Sequence, residues 1–152
     1  MTRRRAAALA ASLLLLMAAP AVAGCSSASS GPELKVASAY MPQPVSDDLA
    51  GGYLVVTNTG DTADELTSVT SGLAEDITLH ESAGETMRQV DSFTVPANGR
   101  LELKRGGSHL MFTGLARKPA QGERVSIELH FAKSDPLTAD VPVETATFNP
   151  RT

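Results

Sequence analysis

His109 and Met111 stand two apart in the run Ser108, His109, Leu110, Met111, Phe112; Met87 precedes His109 with twenty-one residues between them, and His80 comes shortly before Met87. Two imidazoles and two thioethers make a soft, neutral donor set. A thioether suits Cu(I), whereas zinc favours thiolate or imidazole and calcium and magnesium favour oxygen. Residues two apart on a strand project to one face, so His109 and Met111 are expected to point together while Leu110 and Phe112 turn into a core. A single methionine is an ordinary core filler, and a single histidine is more often hydrogen-bonded than metal-bound. The weight lies in the grouping. The chain holds three His and five Met; Met1 and Met17 fall in an N-terminal leader, and four of the remaining six belong to this one constellation.

The elements that must position these residues read as short strands. From Glu33 onward, alternating runs are broken by turn residues and no stretch has helical period. Strands are expected over 34–40, 53–57, 65–70, 77–81, 87–90, 100–104, 109–112, 125–131 and 141–147. Strong turn signals lie at 58–61 (Asn, Thr, Gly, Asp) and 96–99 (Pro, Ala, Asn, Gly). So many short strands predict an all-β domain, an antiparallel sandwich or small barrel. Alternation also sorts the histidines: His130 shares the polar face of its strand with Ser126 and Glu128 and reads as a surface residue. His80 lies opposite the core face near a strand end, where a loop-borne metal site can be built. The small residues of 82–86 let the chain turn back so that Met87 approaches it. Met41, between Tyr40 and Pro42, is an outlying candidate ligand that fits packing better.

Residues 1–24 read as an export signal of the lipoprotein kind. Arg3, Arg4 and Arg5 form a charged start, 6–19 an apolar stretch too short to span a bilayer, and Val22, Ala23, Gly24, Cys25 resembles a lipobox. Cys25 is the only cysteine, so acylating its sulfur leaves no thiol for a disulfide or a metal, and a thioether and imidazole site suits an oxidising compartment. Two or more acyl chains would hold the protein on the outer side of the bacterial cytoplasmic membrane. Residues 25–32, rich in serine, form a tether, and 33–152 the copper-binding β domain. Without Arg3, Arg4 and Arg5, ten basic residues face 17 acidic ones, a net charge of about −7 that disfavours nucleic acid as a partner.

Several segments resemble the PCuAC (DUF461) family of extracytoplasmic copper chaperones. They are 53–60, Leu79-His80-Glu81, Met87-Arg88-Gln89-Val90, Val95 to Gly99, 101–104, 106–111, Gly114-Leu115 and 122–129. The resemblance covers more than half of the exported chain and implies a cupredoxin-like Greek-key β fold. It implies copper, as Cu(I), held by His80, Met87, His109 and Met111, and delivery to an exported acceptor, foremost the dinuclear copper subunit of cytochrome c oxidase. The chain departs from the family between His80 and Met87, where six residues replace about ten, and at Glu81, where some relatives carry Met.

No Ser, His and acid arrangement and no paired carboxylates occur at a catalytic spacing, so the expected role is not enzymatic. A chaperone needs three or four neutral ligands on exposed loops, open enough for an acceptor's ligand to join before a donor leaves. A blue-copper electron carrier needs a cysteine thiolate that this chain lacks. The alternatives are a lipid-anchored β-sandwich interaction module and a copper storage or resistance protein, the latter disfavoured by the small number of methionines.

Overall fold

The computed structural model describes residues 30–150, and among these it has ten strands and no helix. In chain order they are β1 (Leu34–Pro42), β2 (Leu49–Asn58), β3 (Asp64–Thr70), β4 (Ala74–Ala83), β5 (Thr86–Val90), β6 (Phe93–Val95), β7 (Gly99–Leu103), β8 (His109–Leu115), β9 (Arg124–Phe131) and β10 (Leu137–Glu144). Alternation drives most of them: along β2 and β9 every second side chain is buried and its neighbours face outward. The leader, Cys25 and the tether as far as residue 29 lie outside the described residues.

The strands form two layers joined through β1. One layer runs β5-β4-β8-β2, with β7 continuing the edge of β2 beyond β8; the other runs β10-β9-β3-β6. β1 serves both: it is antiparallel to β2 from Leu34 to Tyr40, then parallel to β10 at Met41↔Val143 and Pro42↔Glu144. A register shift between Ala37 and Tyr40, with Ser38 at φ 50°, bends the strand from one layer to the next. Leu54, Ile77, Leu79, Leu110 and Phe112 of the first layer share one core with Leu66, Val95, Ile127, Leu129 and Val141 of the second. β5 and β6 end the strand path without pairing to each other. The fold is thus the expected all-β, largely antiparallel cupredoxin-like arrangement, in its open sandwich form and not a closed barrel.

All nine expected strands are present, with informative differences. β2 starts at Leu49, four residues early, through Gly51 and Gly52, which lack strand propensity. Tertiary contact requires them: a Cβ on Gly52 would fall 2.7 Å from Phe112 Cε2, so only glycine lets that ring fill the core beneath β2. β6, three residues long, is too short to show a period. β10 begins at Leu137 and ends at Glu144, shifted from the expected 141–147. The chain beyond it is drawn aside by Arg105, whose guanidinium donates to the carbonyls of Ala146 and Phe148 at 2.9 and 3.0 Å.

Two side chains clamp the end of the sandwich at which β2 passes to β3. Asn58, buried, accepts from the N–H groups of Glu33 and Gly60 and donates to the Thr62 carbonyl, and Thr62 Oγ1 donates to the Ser30 carbonyl, so the first described residue is already docked. Asp64, 1% exposed, accepts from the backbone N–H groups of Glu65, Lys133 and Ser134 and from the Ser134 hydroxyl, which fixes the connection between β9 and β10. Burial alone would raise its carboxyl pKa, but these donors outweigh it and hold the group below the ordinary aspartate value. A depressed folded pKa stabilises the fold above the unfolded value, and that contribution is lost as pH falls through the folded one. Asp64→Ala is therefore expected to cost roughly 2–4 kcal/mol at neutral pH in denaturant unfolding, with a smaller difference from wild type in acid, once the pH has fallen through the depressed folded value. An equal loss at both pH values would count against the clamp.

Candidate metal centre

Register brings the histidines together. β4 and β8 are antiparallel neighbours in which Ile77 faces Phe112, Leu79 faces Leu110 and His80 faces His109. Ile77, Leu79, Leu110 and Phe112 are buried in the core. The intervening positions Thr78, His80, His109 and Met111 therefore share the outer face, as alternation requires. Met111 lies opposite Thr78 on β4 and Gly51 on β2. Met87 lies on the same face of β5, opposite Ser82, and Gln89 is the residue opposite His80. A two-residue turn, Gly84-Glu85, joins β4 to β5, with Gly84 at φ 66° as hairpin geometry demands. All four candidate ligands thus stand on strand faces, not on the exposed loops expected from the sequence. The three-residue separation of Ala83 and Thr86 in a tight hairpin leaves no loop to carry them.

The two imidazoles stack, with ring centroids 5.5 Å apart and planes 28° from parallel. His109 is 8% exposed. Its Nδ1 lies 2.9 Å from the Gly107 carbonyl, which can only accept, so Nδ1 carries the proton and Nε2 keeps its lone pair. His80 is held in the opposite sense. Its Nε2 lies 3.0 Å from Thr78 Oγ1, whose hydroxyl donates to the Met111 carbonyl at 3.5 Å, so the histidine is the donor of this pair. The bare atom of His80 is then Nδ1. That atom is buried and is the one side-chain polar atom of its kind without a hydrogen-bond partner among the described residues. A buried, unsatisfied acceptor costs about 1–3 kcal/mol unless something binds it. Second partners that fix the tautomer and leave the other nitrogen free are the arrangement found behind metal-binding histidines.

The donors fit a soft ion. Among the described residues no group of three or more His, Cys, Asp or Glu is placed to hold a metal; a thioether on the strand face of two imidazoles is a donor set suited to copper and not to calcium or magnesium. Tyr53 walls the site: its ring lies 6.4 Å from that of His109 and is itself stacked on Tyr40 at 5.0 Å. A Cβ on Gly51 would lie 3.2 Å from the Tyr53 hydroxyl, so this glycine makes room for the ring beside Met111. Met41 is 0% exposed, paired with Val143 within the core, and is spent on packing. His130 is on the other layer, against Thr70 Oγ1 and Glu128, apart from the site. Thr78, Gly107 and Tyr53 escaped the sequence reading as site residues. Only Thr78 carried a signal, two residues before His80 and so on the same face.

Comparison with known proteins gives the family and the fold. A family model described as LpqE-like lipoprotein matches residues 34–143. A protein of Leifsonia xyli subsp. xyli, named as a lipoprotein, is 35% identical over 94 residues, 59% of this chain and only 57% of the length of that relative. Among solved structures, the copper-bound PCuAC domain from PmoF2 superposes with a TM-score of 0.67 at 25% identity, covering 76% of this chain and 95% of that one. The Cu(I) form of DR1885 from Deinococcus radiodurans superposes with a TM-score of 0.64 at 29% identity, covering 80% of this chain and 85% of that one.

The hydrogen bonds predict opposite tautomers for the two histidines in the metal-free protein. Long-range ¹H–¹⁵N spectra at mildly alkaline pH are expected to show Nε2–H for His80 and Nδ1–H for His109. Thr78→Val should disturb the first and leave the second; a shared tautomer in the wild type would contradict the assignment.

Proposed function

Because the chain belongs to the LpqE-like lipoprotein family, we propose that it is an extracytoplasmic metallochaperone that binds Cu(I) and delivers it to an exported cuproprotein. The observation that carries this reading is the unpartnered Nδ1 of His80, buried beside the free Nε2 of His109. The PCuAC likenesses and the thioether donors support copper as the cargo. His80, Met87, His109 and Met111 are the residues that handle it. Lipid on Cys25, after removal of residues 1–24, anchors the protein to the outer side of the cytoplasmic membrane, with 25–32 as tether and 33–152 as the copper-binding domain. The dinuclear copper site of cytochrome c oxidase is the acceptor we infer from the family resemblance.

On this reading the chain does its work by preorganisation. Thr78 and the Gly107 carbonyl each take the N–H of one imidazole and so direct its other nitrogen to the metal. The Met111 thioether adds a donor with no proton to lose. The outer face stays open to an acceptor, while Tyr53 and the strands close the other sides. All donors are neutral, so the site leaves the cuprous ion its single positive charge and binds reversibly.

Competition titration of the mature protein against a Cu(I) chelator is expected to give one copper per chain. His109→Ala and Met111→Ala should each weaken binding at least about tenfold, or 1.4 kcal/mol, with the fold retained by circular dichroism. Weak binding indifferent to both variants would sink the chaperone reading and leave a β-sandwich interaction module. Protons compete for imidazole lone pairs but not for thioethers, so affinity is expected to be weaker in acid than in mild alkali. An affinity unchanged between about pH 8 and pH 5 would exclude histidine ligation.

A further inference from the structure

β1 and β10 run side by side in the same direction, yet they pair only at Met41↔Val143 and Pro42↔Glu144. Two features stop the ladder there. Pro142 has no N–H to donate, and the Ser38 bulge turns β1 aside. Toward the starts of both strands the seam opens into a cleft of about 560 Å³, lined by residues 34–39 of β1 and 137–140 of β10. No residue of β4, β5 or β8 lines it, so it is separate from the candidate metal centre.

Alternation fixes which backbone groups look into the cleft. The Glu33 carbonyl accepts from the Thr59 N–H, and Lys35 pairs with Thr57. Odd positions of this part of β1 thus serve β2, and the N–H and carbonyl groups of Leu34 and Val36 point the other way. On β10, Val143 bonds through its carbonyl and N–H to Gly122 and Glu123, just before β9. By the same parity Thr138 and Asp140 turn their backbone groups away from β9, toward β1. No strand among the described residues pairs with either edge at these positions.

The floor and the rim differ in character. Leu34, Val36, Ala39 and Ala139 pack against the core but are only partly buried, so the cleft reaches the apolar interior. On the rim Lys35 and Arg124 are exposed, and neither side chain has an ion pair or hydrogen bond among the described residues. The one acid in the lining is Asp140. Polar backbone on two walls does not suit an acyl chain, which would leave those groups unpaired. An extended peptide satisfies both walls at once and sets alternate side chains on the floor.

The geometry points to a docking cleft for an extended segment of a partner protein, apolar at every second residue and acidic between, which adds as a strand between β1 and β10. The apolar residues enter the seam, and the acids meet Lys35 and Arg124. The inference is independent of the copper reading.

The test is a titration of the ¹⁵N-labelled mature protein with the blocked peptide Thr-Val-Glu-Val-Glu-Val-Thr. A Kd below about 1 mM is expected, with Val36 and Thr138 amides shifted and protected from hydrogen exchange about tenfold or more. A peptide with proline at its centre, and one with lysine for glutamate, should each bind about tenfold more weakly or worse. Lys35→Glu with Arg124→Glu, at exposed positions that leave circular dichroism unchanged, should reverse the preference between the glutamate and lysine peptides. Absence of shifts at millimolar peptide, equal binding of the proline peptide, or shifts confined to β5 or β6 would each overturn the proposal. Protection of the same amides without peptide, together with a dimer mass in sedimentation, would assign the cleft to a second copy of the chain and overturn it as well.

Discussion

The pairing of β4 with β8 is the constraint from which the rest of the site follows. Ile77 against Phe112 and Leu79 against Leu110 are buried cross-strand pairs, and full burial of each such side chain is worth about 1.5–3 kcal/mol. A slip of one residue would turn all four toward water and the histidines into the core. A slip of two would keep the core apolar but part His80 from His109. The stacked imidazoles are therefore held by the hydrophobic core behind them, at no cost in loops that must be ordered around a metal.

The outer face is built on that register by small polar choices. Thr78, opposite Met111, turns the His80 ring so that its Nδ1 is the free atom, and the turn before β8 presents the Gly107 carbonyl to His109. Each interaction selects one tautomer of a ring that could otherwise take either. The two glycines of β2 act on opposite faces of one strand: Gly52 yields to the Phe112 ring inside, Gly51 to the Tyr53 ring outside. The core and the wall of the site thus meet in a single dipeptide, which explains why β2 runs through two residues so poor in β propensity.

β1 and the clamps decide how the two layers meet. By changing partners at the Ser38 bulge, β1 ties the site-bearing layer to β10. Tyr40, next along that strand, stacks on Tyr53 and is met edge-on by Phe148 from the tail that Arg105 holds. Burial of this phenol, together with neighbouring Tyr53, raises its pKa against the opposing effect of Arg105. The wall beside His109 is backed in this way by both ends of the folded domain.

Residue types and period alone determined much of this protein. Strict alternation announced β structure and set Leu110 and Phe112 inward with His109 and Met111 outward, because side-chain direction in a strand depends only on parity. The scarcity of His and Met made their grouping visible, and His130 was separable by the same parity. Strand ends, the three-residue β6 and the glycine-bearing start of β2 were not legible, since long-range contacts and not local preference create them. Tertiary structure alone decided that His80 faces His109, which nitrogen of each is free, and that Gln89, not Met87, stands opposite His80 on β5. Those facts depend on the register between strands and on single hydrogen bonds across it, and neither is encoded in the order of residues along one strand.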